Sequence, residues 1–180
     1  MLAPLFPTVT DLSRQTDVVR RKRYGVIEIA EGKFQAIRFR PWPKWISRLE
    51  LATWSRWAHG RIAGDRCWLY YNAPLTAPGF LTLAYIVSPA QTRWSTIHRG
   101  LEVLDQVAEI RRTKALVCEL SNLRISDRLM GRLGWEEHCQ QLSGRHFIKR
   151  FYGEYPWRNC SDYDDRRRSM VISPDPLAKP

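Results

Sequence analysis

Residues Phe80 to Val87, Phe-Leu-Thr-Leu-Ala-Tyr-Ile-Val, form a continuous, predominantly apolar run with a β-branched end, and Pro89 stops it. A run of that kind suits a central strand buried on both faces. A helical pattern follows to about Arg112, with Ser95 or Thr96 as its cap. Ile97, Leu101, Leu104 and Ala108 make its apolar stripe, widened by Val103, Val107 and Ile110. Ala115-Leu-Val-Cys-Glu-Leu120 reads as the next strand. Two strands joined through a single helix pair in parallel, with a right-handed crossover. This order points to an α/β fold with a parallel centre.

Shorter signals surround that unit. Val26–Ile29 and Phe34–Phe39 read as strands joined by a tight Glu31-Gly32 turn. Pro41 and Pro43 break the extension, and a helix is predicted over Lys44–Ala58, with Ile46, Leu49, Thr53 and Trp57 inward. Cys67–Tyr71 reads as a further strand. Ser121 or Asn122 opens a second helix carrying Ile125, Leu129 and Leu133, and Gly134 closes it. Trp135–Leu142 and His146–Tyr152 then make a C-terminal antiparallel hairpin across Ser143-Gly144. The expected architecture is a mixed central sheet with helices on both faces. Residues 24–155 form the single domain, residues 1–23 a flexible basic arm and residues 156–180 a flexible charged tail.

Composition narrows the function classes. Hydrophobic residues make up 44% of the 180, enough to fill a core. No apolar run approaches the roughly 18 residues of a membrane span, so no membrane partner is expected. The start, Met1-Leu-Ala-Pro-Leu-Phe-Pro, lacks the basic and apolar segments of a secretory signal, and a cytoplasmic location is expected. Cys67, Cys118, Cys139 and Cys160 form no CxxC pair, and no histidine has a histidine partner at helical spacing. Free thiols and no metal site follow. The net charge of +11 attracts polyanions. The basic runs Arg20–Arg23 and Arg166–Arg168 make nucleic acid one candidate partner.

The segment from Leu116-Val-Cys-Glu-Leu-Ser-Asn-Leu-Arg to Leu133-Gly-Trp135 resembles a strand–Asn–helix–"LGW" signature. It is that of the GNAT superfamily of acyl-CoA-dependent N-acyltransferases. Ile86-Val-Ser-Pro89 is similar to the "VxP" that ends the family's fourth strand, and Arg145-His-Phe-Ile-Lys-Arg150 to its final strand. The resemblance covers roughly residues 65 to 152. It implies a GNAT-like fold, acetyl-CoA or another acyl-CoA as co-substrate, and an amine as acceptor. In that family the cofactor's pyrophosphate sits on backbone amides at the start of the helix after "VxP". Unpaired N–H groups and the positive helix end attract phosphate there. Carried over, the cofactor-binding positions are Ile86, Val87, Gln91, Arg93, Trp94, Ser95 and Thr96, with Asn122 at the pantetheine arm.

Two positions depart from the family pattern. Trp94 stands where the first phosphate-loop glycine is usual, and Arg93 and Arg99 are candidates to contact phosphate directly. Met130 stands where many members place a tyrosine acid, and a thioether cannot donate a proton. Glu119 and Tyr85 are the replacement catalytic candidates, as base and acid, with Ser126 behind them. Three readings follow: an N-acyltransferase, a GNAT-like module without catalysis, and a nucleic-acid-binding protein. For the third, Trp42, Trp45 and Trp54 near Lys44, Arg48 and Arg56 would add stacking surfaces.

Overall fold

Glu31 and Gly32 both hold positive φ, 52° and 70°, and so close the tight turn that fits the twist of the strands it joins. Those strands belong to a structure, a computed structural model, that describes residues 6–43, 64–120 and 125–155. In chain order the described elements are β1 (Thr8–Val9), α1 (Thr16–Arg21), β2 (Tyr24–Ala30), β3 (Lys33–Arg40), β4 (Arg66–Asn72) and β5 (Phe80–Val87). There follow α2 (Trp94–Ile110), β6 (Ala115–Glu119), α3 (Asp127–Arg132), β7 (Glu136–Glu137) and β8 (His146–Arg150). The helix expected over Lys44–Ala58 and the tail 156–180 lie outside the described residues.

The eight strands form one sheet in the order β1-β3-β2-β4-β5-β6-β8-β7. Among them β5 and β6 are the parallel pair, crossing over through α2, and the remaining neighbours run antiparallel. The fold is therefore α/β with a mixed sheet, as the strand–helix–strand order requires. The C-terminal hairpin is present with a short first arm: β7 covers Glu136–Glu137, not the stretch to Leu142.

One face of the sheet holds the core. Ile27, Ile29, Leu69, Tyr71, Leu81 and Leu116 are fully buried and meet Val103, Leu104, Val107 and Ala108 of α2. The buried stripe of α2 is centred on Gly100, Val103, Leu104 and Val107, while Ile97 and Leu101 flank it. At Gly100 an added Cβ would lie 2.4 Å from Leu69 Cδ1, so the helix sits unusually close to β4. α3 ends in a Schellman motif, with Gly134 at φ 80° and Trp135 N donating to Met130 O at 3.0 Å. Its cap is Ser126, whose side chain accepts from Leu129 N at 3.2 Å.

One expectation needs revision. Residues 1–23, set aside as a flexible arm, contain β1, paired with β3, and α1, packed on the core through Val18 and Val19. The Arg111 guanidinium secures α1 by donating to the carbonyls of Val19, Arg20 and Lys22 at 2.7, 3.0 and 2.6 Å. Burying each valine is worth roughly 1.5–3 kcal/mol, which offsets the ordering of so short a segment. The described helices gather on the side of the sheet that carries α2, and no described helix covers the other face. There Val26, Glu28, Arg38, Arg40, Trp68 and Tyr70 line an open cavity of about 410 Å³.

Candidate active site

The parallel ladder between β5 and β6 runs from Phe80↔Ala115 to Leu83↔Cys118 and stops there. β5 continues through Ala84, Tyr85, Ile86 and Val87 along β4, while β6 stays with β8 through Glu119↔His146. The two strands therefore part. A β-bulge marks the point of divergence: Tyr71 opposes Leu83 and Tyr70 opposes Tyr85, leaving Ala84 as the extra residue. Such a bulge bends its strand, sharpens the local twist and re-aims the side chains beyond it.

Alternation decides what lines the opening. Leu81 and Leu83 point to the α2 side with Leu116 and Cys118. Beyond the bulge Tyr85 joins Tyr70 on the opposite face, their ring centroids 6.3 Å apart. Glu119 follows buried Cys118 and is exposed on that same face. Tyr85 and Glu119 thus flank the parted strands from opposite sides. Ile86 returns to the core and Val87 is buried opposite Trp68.

A residue passed over in the sequence joins them. His146 is the cross-strand partner of Glu119, and its Nε2 lies 3.2 Å from Ser143 O. Gly144, at φ 113°, leaves the space where both side chains converge. A Cβ there would lie 3.1 Å from Glu119 Oε1 and 3.3 Å from His146 Nε2. The available signal was register: a hairpin turning at Ser143-Gly144 brings His146 back opposite the end of β6. Arg145 pins this corner, pairing with Asp127 and donating to Ile125 O at 2.8 Å.

The start of α2 is arranged differently from a free amide cradle. Arg93 N donates to Asp65 Oδ1 at 2.9 Å, and the Thr96 hydroxyl also donates a hydrogen bond to Asp65. These bonds hold the Asp65 carboxyl below its ordinary value. Thr96 is fully buried and accepts from Gly32 N at 3.0 Å. Gln91 accepts from Gly64 N at 3.4 Å. The loop that was expected to meet phosphate thus uses several of its polar groups on residues 32 and 64–65, and a carboxylate sits at the helix end. Ser95 is exposed and Trp94 is 47% exposed, swung outward and away from the core. Arg99 pairs with Glu102 at 2.9 Å.

Met130 is 6% exposed and packs in the core, so its position offers a hydrophobic contact and no proton. Ser126 is spent as a helix cap. Asn122 lies outside the described residues. No protein-family model matches this chain, and no curated protein matches it in sequence.

Proposed function

We propose that this chain is a GNAT-like N-acyltransferase, moving an acetyl or other acyl group from coenzyme A to an amine. The parting of β5 from β6 at the Ala84 bulge carries this reading. A strand edge released from its ladder bonds readily to an extended chain, and the amide-bearing pantetheine arm is such a chain. The thioester then lies between Tyr85 and Glu119, and the amine approaches from the face that holds the cavity beside Tyr70.

In the reaction the amine nitrogen attacks the thioester carbonyl, forming the C–N bond as the C–S bond breaks. Glu119 or its neighbour His146 takes the amine proton, and the thiolate regains a proton from the Tyr85 hydroxyl. Tyr85 replaces the acid that Met130 does not supply. Acetyl-CoA at about 100 times its Kd stabilises the protein by about 2.7 kcal/mol, read by thermal shift. No shift at millimolar cofactor rejects the proposal. With turnover in hand, Glu119→Gln and His146→Gln together lower kcat and leave KM for the thioester near its original value.

A second reading has its own support. Met130 is core and supplies no acid, which favours a GNAT-like module that binds a thioester or its product without catalysis. Saturable acetyl-CoA binding with no transfer across a panel of amines selects it.

A further inference from the structure

Between α2 and the turn that ends α3 lies a cavity of about 230 Å³, and none of Tyr85, Glu119 or His146 lines it. An ion pair forms its floor. Lys149 Nζ donates to Asp105 Oδ2 at 2.7 Å, with the two side chains 8% and 7% exposed. An ammonium has three donors, and among the described residues Lys149 uses one of them, on Asp105. Burying a cation with donors unspent is costly unless an acceptor reaches it. The cavity is where an acceptor would arrive.

The charges around it do not cancel. Arg132 stands at the rim with no partner among the described residues. Glu102, the other carboxylate there, is already held by His98 Nδ1 at 3.3 Å and Arg99 Nη1 at 2.9 Å. Lys149 and Arg132 therefore face Asp105 with one positive charge in excess. Apart from His98, which is held against Glu102, the remaining side chains of the walls are apolar: Leu101, Leu104, Leu133 and Trp135. Pockets for drug-sized ligands run to roughly 300–1,000 Å³, so this one fits a molecule of a few carbons.

We propose that the cavity binds a small apolar monocarboxylate, its carboxylate between Lys149 and Arg132 and its hydrocarbon tail against Leu133 and Trp135. The site is independent of the acyltransferase reading. Isovalerate, its neutral amide isovaleramide and the cation isoamylamine, titrated calorimetrically into the full chain, test it. Isovalerate binds saturably with Kd of about 1 mM or tighter, isovaleramide binds at least about tenfold more weakly, and isoamylamine does not bind. Arg132→Gln, an exposed change, weakens isovalerate about tenfold. The double variant Asp105→Leu/Lys149→Met, which swaps a buried pair for apolar groups and keeps the fold, abolishes binding. Absence of isovalerate binding, equal affinity for isovaleramide, or unchanged affinity in both variants overturns the proposal and leaves a cavity that holds water.

Discussion

Asp65 Oδ1 accepts the backbone N–H of Arg93 at 2.9 Å, which seats a carboxylate at the N-terminal end of α2. The bond satisfies one of the amides a helix start leaves open, and the negative charge suits the positive end of the helix. The same placement works against a phosphate at that end.

Asp65→Asn therefore has two opposite consequences. Because the folded Asp65 sits below its ordinary value of 3.8, its contribution to stability is present above that value. It is lost as pH falls through the lower folded value. The wild type melts higher than the variant at neutral pH, and the two curves converge in acid. Under the proposed acyl-CoA reading, coenzyme A affinity moves the other way, rising roughly twofold to fivefold as the repulsion is removed. Calorimetry showing equal affinities would place the cofactor's pyrophosphate away from this helix end.

Tyr71 carries a second testable contact. Its hydroxyl is buried without a hydrogen-bond partner among the described residues, and burial pushes the phenol above its ordinary value, so the group stays neutral. Tyr71→Phe removes an unsatisfied polar atom and raises stability by about 1 kcal/mol. Gly25 explains why the ring fits. A Cβ at Gly25 would lie 2.6 Å from Tyr71 Cζ, and the ring, 1% exposed, has nowhere to go. Gly25→Ala costs about 1–3 kcal/mol by overpacking. Urea midpoints at unchanged slope measure both.

The strand and helix order was legible because its signals are strong and local. Phe80–Val87 is too apolar for an edge, and α2 shows a helical stripe over many turns. The Glu31-Gly32 turn and the Gly134 cap need positive φ and carry glycine. Short elements gave no such signal. Val9 pairs with Ile37 of β3, and the Val19 carbonyl meets Arg111, contacts distant in sequence that no period announces. The opening between β5 and β6 depends on an unpaired residue, Ala84, that nothing in its own chemistry distinguishes. Asp65 meets Arg93 from another loop, so its effect on the helix end is invisible until the fold brings them together.

The cysteines differ sharply in reactivity. Burial pushes the Cys67 and Cys118 thiols up to about 12, with Asp65 adding to the effect at Cys67. Cys139 is exposed. Thiolate is the nucleophile, so the two buried residues are inert near neutral pH. Brief alkylation of the native protein followed by peptide mass spectrometry finds the label on Cys139 and not on Cys67 or Cys118, which label after denaturation. Native labelling of Cys118, which neighbours Glu119, would mean that the parted strands open further into the core.

The Asp105–Lys149 pair sets a stability test that separates breaking an ion pair from replacing one. Burial raises the Asp105 carboxyl against the pull of the Lys149 ammonium, so desolvation is a large part of its energetics. Gly134, whose Cβ would come 3.4 Å from Lys149 Cε, closes the turn over the lysine stem. Lys149→Met alone leaves a buried carboxylate without its counter-ion and costs about 3–5 kcal/mol. Adding Asp105→Leu removes the stranded charge and recovers most of that loss, because apolar replacements of similar volume are often neutral or better. Chemical denaturation of the two single variants and the double variant gives the coupling directly. A double variant no more stable than Lys149→Met alone would show that the lysine stem, packed under Gly134, and not the charge pairing, holds this corner together.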